Sequence, residues 1–237
     1  MQSFRRLSFG LALLVVFSGC ASAQESAHER DFAIVTVFSV PGGEVEGVNY
    51  FFGDYVVETA EGEADAVFNL ANMSWRGLAD FDEGIIITLD EAEQWAAASL
   101  AISDSSALAN ESEEVAEFVR ALVYPEFDIV ETGDTLVFEN AVFRYEISEA
   151  LPLTPDQAQR FYAHDRLNAY RKAMMMRQFP PFAQLLITEA LEARQILPTS
   201  MSLTVRMPQG TTRMDLSVRL EEVEPGEAAS YRALIPQ

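Results

Sequence analysis

Over the first half of the chain, apolar and aromatic residues fall in short runs with the spacing of β-strands rather than helices. Phe32 to Val40 is β-branched and aromatic and stops at Pro41-Gly42-Gly43, a turn signal. Val48 to Thr59 carries Tyr50, Phe51, Phe52, Tyr55, Val56 and Val57 around Gly53-Asp54, the pattern of a hairpin or of one long bulged strand. Ala66 to Trp75 and Gly84 to Leu89 continue the series. Further on, Phe127 to Glu131 turns at Thr132-Gly133-Asp134 into a strand over Thr135 to Ile147. There Val137, Ala141, Phe143, Tyr145 and Ile147 share a face, with Glu139 the exception, and Asn140, Arg144 and Glu146 point largely the other way. Met201 to Met207, a Pro208-Gln209-Gly210 turn and Arg213 to Glu221 predict a last hairpin, and the residues from Glu224 read as a loose tail.

Helical periods interrupt the strands twice. Asp90, with Glu93 three places on, opens a helix over 91–101. Asn110 opens a second, in which Val115, Phe118, Val119 and Leu122 share a face and which Pro125 ends. The clearest helix spans 154–177, with Thr154 at the cap, Pro155 at the first helical position and Gln157 at the capping-box position. Along it Ala163, Leu167, Tyr170 and Met174 align. Another helix starts near Pro180-Pro181 and carries Phe182, Leu186, Ala190 and Ala193. Grouped strands, two helices, strands, two helices and a hairpin predict an α+β fold with antiparallel pairing.

The N-terminus has a different pattern. Arg5 and Arg6 precede an apolar run from Leu7 to Phe17 that is too short to cross a bilayer as a helix, which takes roughly 20 residues. It suits a secretory signal. The run closes at Phe17-Ser18-Gly19-Cys20, which resembles the bacterial lipoprotein signal, or lipobox: an aliphatic residue, two small ones, then cysteine. Phe17 stands where that family usually has Leu, and the resemblance covers residues 1–20 alone. It implies a signal peptide over 1–19, removed so that Cys20 becomes an acylated N-terminus. Residues 20–30 would then be the lipidated cysteine and a polar tether, and 31–237 a single α+β domain. The acyl chains on Cys20 would hold the protein to a membrane of the bacterial cell envelope, facing the periplasm or the exterior. Ala21-Ser22-Ala23 offers a competing cleavage site, after Ala23, that would give a soluble secreted or periplasmic protein. In both cases the domain keeps no thiol, because Cys20 is the only cysteine; disulfides, thiol catalysis and cysteine metal sites drop out.

Charge sharpens the picture. The chain has a net charge of −21, and residues 25–149 hold 28 acidic residues against four arginines, while 150–237 are nearly balanced. Such an acidic N-terminal part repels phosphates and argues against nucleic acid and against broad docking on anionic lipid. Lys172 is the only lysine. An acidic, lysine-poor surface reads as a solubility feature of the host.

Candidate chemistry is sparse. His164 sits beside Asp165 on the long helix, but neighbours on a helix do not face each other, so the two are not a dyad and a surface or helix-packing role is expected. The clusters Asp80-Phe81-Asp82-Glu83 and Glu111-Ser112-Glu113-Glu114 lack the loop spacing of a calcium site and read as a solvated loop and a helix start. Met174-Met175-Met176 reads as core or helix end rather than a binding groove. Phosphate-cradling, nucleophile-elbow and zinc-protease motifs are absent from the sequence.

The order of elements, with Gly53-Asp54-Tyr55-Val56-Val57-Glu58 as an early strand, is similar to periplasmic lipoprotein-carrier-like half-barrels. The segment lacks their basic positions, and no functional residue carries over. The resemblance implies a curved antiparallel sheet with helices packed on one face, and an apolar groove. The expected function is a lipid-anchored, non-catalytic envelope protein that binds an apolar ligand or a partner protein, without cofactor or metal. The alternatives are a structural or assembly factor acting through its acidic face, and a hydrolase with a dispersed site.

Overall fold

The computed structural model describes residues 31–40, 43–78, 83–104, 112–175, 181–207, 210–223 and 225–236. The expected signal and tether, with Cys20, lie outside the described residues, as do Asp80 to Asp82, Asn110, Glu111 and Met176.

Among the described residues, eleven strands form one antiparallel sheet that does not close on itself. Six come from an N-terminal meander: β1 (Phe32–Val40), β2 (Gly43–Phe52), β3 (Tyr55–Ala60), β4 (Glu63–Asn69), β5 (Ser74–Gly77) and β6 (Ile86–Thr88). Helices α1 (Leu89–Asp104) and α2 (Glu113–Val123) follow. Next come β7 (Asp128–Thr132), β8 (Thr135–Glu139) and β9 (Phe143–Pro152), then α3 (Pro155–Met175) and α4 (Phe182–Glu192), then β10 (Ile196–Met207) and β11 (Gly210–Glu222). The order across the sheet is β6-β5-β4-β3-β2-β1-β11-β10-β9-β8-β7. Two meanders therefore meet at one seam, where Phe32 lies opposite Glu222 and Ser39 opposite Asp215.

Alternation along the strands sends Phe32, Ile34, Phe51, Val56, Phe68, Leu136, Phe138 and Ile147 into one cluster with Ala92 and Ala96 of α1, Tyr162 and Leu167 of α3, and Leu191 of α4. A second cluster forms around Phe52, Val57 and Val67. It is completed by the C-terminal residues expected as a loose tail. These instead make β12 (Pro225–Ala228) and α5 (Ala229–Arg232), and they place Tyr231, Leu234 and Ile235 against the sheet. The Tyr231 hydroxyl donates to the Gly62 carbonyl at 2.6 Å, and Arg76 donates to the Leu234 carbonyl at 3.3 Å.

Local chemistry explains several other departures from the expected elements. The Val48–Thr59 run is a hairpin, turning at Gly53 with φ +57°, where glycine avoids the Cβ clash. Ala66–Trp75 is two strands, because the Asn69 side-chain oxygen accepts from the Ala71 and Asn72 amides and bends the chain. Thr135–Ile147 also breaks in two. Asn140 accepts from the amides of Val142 and Phe143 at 2.9 and 2.7 Å, and the chain reverses there. This accounts for Glu139 as an exception: Phe138 faces Tyr145 across the hairpin, and Glu139 faces Arg144. The first helix is capped by Thr88 and Glu91, not Asp90 and Glu93: the Thr88 amide donates to Glu91 at 2.8 Å, and the Glu91 amide to the Thr88 hydroxyl at 3.3 Å. Ser112 caps α2. Leu186 of α4 is exposed, and Thr188 and Leu191 are the buried positions. The box at Thr154 and Gln157 forms as the spacing predicts, at 3.1 and 3.3 Å.

Candidate functional site

Helix α3 is polar by composition yet enclosed: of its 21 residues only Pro155, Gln159 and Lys172 are exposed. Arg160, His164, Asn168 and Arg171 follow one another at spacings of three and four residues, so they share a stripe of the helix. All four are buried. Burying such groups is costly unless each charge finds a partner.

Arg160 pairs with Asp156 of its own helix, and the sheet supplies the partners of Asn168 and Arg171. Glu58 comes from β3, opposite Ala66 of β4. The next pair is Thr59 with Ala64, which leaves Asp65 as the extra residue of a bulge. A bulge re-aims the side chain it displaces, and Asp65 meets Arg171 at 2.9 Å. Arg171, only 1% exposed, also reaches Glu58 at 3.4 Å and donates to the Asp65 carbonyl. Lys172 lies 3.1 Å from the other Glu58 oxygen. With its amide nitrogen toward Glu58, Asn168 donates there at 3.1 Å and accepts from Lys172 at 3.2 Å. Burial works to raise the Glu58 pKa, but Lys172 and the other nearby positive charges outweigh it and hold the carboxyl below its ordinary value.

His164 is the exception within the stripe. It is 2% exposed and sits edge-on between Phe51 and Phe68, with ring centroids 5.6 and 4.6 Å away. Neither ring nitrogen has a hydrogen-bond partner among the described residues. Burial pushes its pKa down to about 4, with Glu58 opposing and Lys172 and Arg171 reinforcing the fall. The ring is a neutral packing group. Asp165 turns away to α4, where the Thr188 hydroxyl donates to it at 2.6 Å, and burial raises its pKa. Among the described residues, the geometry of a nucleophile, a base and an orienting acid does not arise at His164.

Two other places differ from this buried interior. On β9, β10, β11 and β1, residues alternating outward include Ser39, Ser148, Ser200, Ser202 and Ser217, which with Glu146 and Asp215 line a trough of about 290 Å³. At the sheet margin β7 pairs, among the described residues, with β8 alone, and all five of its residues are exposed. Ile129 and Val130 are 50% and 52% exposed there.

No family model, curated protein or solved structure matches this chain. Function therefore rests on the geometry of its own residues. Among the described residues, no group of three or more His, Cys, Asp or Glu side chains is placed to hold a metal, and no helix is long and apolar enough to cross a membrane. Glu83 and Glu113 are exposed, and Met174 packs against the main core.

The stripe on α3 escapes a sequence reading because Arg, His and Asn at helical spacing look like a solvent face. Its one sequence signal is Glu58, a carboxylate inside the apolar strand Tyr55 to Ala60. The β7 edge has no sequence signal at all, since strand order decides which strand is left unpaired.

Proposed function

We propose that the protein is a lipid-anchored, non-catalytic component of the bacterial cell envelope that binds a partner protein at the β7 edge. In this reading the sheet curves around α3, with the helices on one face, and the acyl chains on Cys20 hold the domain near the membrane. The observation that carries it is the contrast between a filled interior and an open margin. Tyr162, Leu167, Phe51 and Phe68 close the space between α3 and the sheet, which favours a partner over an apolar ligand. Buried Arg171 is matched by Glu58 and Asp65, and buried Arg160 by Asp156 of its own helix, which favours scaffolding over catalysis. By contrast, β7 offers main-chain groups and two large apolar side chains, the elements of strand-addition recognition.

Two measurements test this. Intact-mass analysis of the membrane fraction should find acyl mass on the wild-type chain and none on Cys20→Ala; a mature chain beginning at Gln24 without lipid sinks the anchoring. A photo-crosslinking residue placed at Val130 in cells should join the chain to another protein, while the same residue at Ser217 should not. Absence of any adduct from Val130 sinks the partner reading.

A further inference from the structure

From the charges around β7 we infer that this edge accepts an extended, basic strand of a partner protein, one with two apolar residues between two cations. The inference rests on the partner-binding reading above and names the partner's chemistry.

A strand added beside β7 places one residue opposite each of Asp128, Ile129, Val130 and Glu131. Exposed apolar side chains at Ile129 and Val130 favour apolar partners, and carboxylates on either side favour positive ones. Opposite-charge and apolar cross-strand pairs each contribute roughly 0.2–1 kcal/mol, and like charges placed opposite each other are destabilising. Glu126 and Asp134 are exposed just beyond the two ends of the strand and extend the same field. Arg194 already pairs with Glu131, through Nε at 3.1 Å, so Asp128 carries more of the selectivity.

The same charges disfavour a second copy of this chain in the register that pairs its apolar residues. Two β7 strands paired antiparallel about Ile129 and Val130 would set Asp128 against Glu131 at both ends. The opposite margin, β6, is no better: between Arg76 and Arg120 the sequence has no basic residue, while Glu83, Asp90 and Glu91 flank the strand. Edges guarded by charge against their own kind are a known means of preventing aggregation. Here both margins carry the same sign, so the guard repels self-pairing and leaves β7 open to a strand of the opposite sign.

The test uses the full chain in detergent and two short fluorescein-labelled peptides, one centred on Arg-Ile-Val-Arg and one on Glu-Ile-Val-Glu. By anisotropy, the basic peptide should bind at least roughly tenfold more tightly than the acidic one. Amide hydrogen exchange should slow at residues 128–132 when it binds. Asp128→Lys, an exposed substitution, should weaken the basic peptide several-fold and narrow or reverse the preference, with an unchanged circular dichroism spectrum. Equal affinity for the two peptides, no binding of the basic one, or protection elsewhere in the sheet overturns the inference. Crosslinks from Val130 in cells without binding of the basic peptide would leave a partner at this edge but not a basic strand; absence of both would remove the partner reading as well.

Discussion

Helix α3 and strand β7 solve opposite problems with the same kinds of side chain. On α3, charged groups are buried and every carboxylate brought to the helix stripe is answered by a cation; on β7, carboxylates and apolar residues stand exposed on a strand that pairs on one side, with β8, among the described residues. Buried charge gains its value from fixed geometry, since removing one partner strands the other in a medium that solvates it poorly. Exposed charge is screened and contributes little to stability. The interior should therefore break the fold when altered, and the margin should alter binding alone.

The largest effect is expected at Arg171. Arg171→Met leaves Glu58 and Asp65 facing one another without their shared cation, and should cost about 3–5 kcal/mol in urea unfolding. A cost under about 1 kcal/mol would show that the cluster is not closed to water, and the contrast with β7 would collapse.

His164 comes next, through pH. Its folded pKa, about 4, lies below the ordinary 6.5, so the folded protein excludes a proton that the unfolded chain accepts. Its contribution is fully present above pH 6.5 and is lost as pH falls toward 4, at roughly 1.4 kcal/mol per pH unit. Asp165 runs the other way: its raised pKa favours the folded protein at low pH and the contribution fades as pH rises. Comparing His164→Leu with wild type between pH 4 and 7 isolates the imidazole. The variant should lose less stability than wild type on acidification; parallel curves would mean that the ring is solvated or hydrogen-bonded.

An intermediate effect is expected at the C-terminal cover, where Tyr231→Phe removes the bond to Gly62 and should lower stability by about 0.5–1.5 kcal/mol. The smallest effect is expected at the margin. Val130→Lys should stay within about 0.5 kcal/mol of wild type in the same unfolding assay, yet abolish crosslinking from the neighbouring Ile129 position. A loss of stability comparable to that of Arg171→Met would place β7 in the core and end the comparison.

Legibility in the sequence follows the same divide. The Thr154 cap and the Gly53 turn were readable because each depends on a few adjacent residues. The breaks at Asn69 and Asn140 depend on side-chain bonds to the main chain, which an apolar pattern does not record. The α3 stripe needed Glu58 and Asp65 from more than 100 residues away, and β7 became a margin only through the order of eleven strands. The charge imbalance was visible, but its internal use was not. Arg171, Lys172, Arg194, Arg206, Arg219 and Arg232 of the C-terminal part pair with Glu58, Asp65, Glu131, Glu139, Glu46 and Asp31 of the N-terminal part.

The seam between β1 and β11 bears on how the chain reaches this state. Phe32 emerges from the ribosome nearly two hundred residues before Glu222, its partner across the seam. Throughout that interval the N-terminal meander has an open flank at β1, in what will be the middle of the sheet. Joining strands so distant in sequence is slow, because a long loop must close before any pairing rewards it. A meander left waiting would readily stick to its neighbours, and its heavy negative charge keeps such copies apart. The acidity that reads as a property of the finished surface would act on an unfinished one as well, and closing the seam brings Arg219 of β11 to Glu46 of β2.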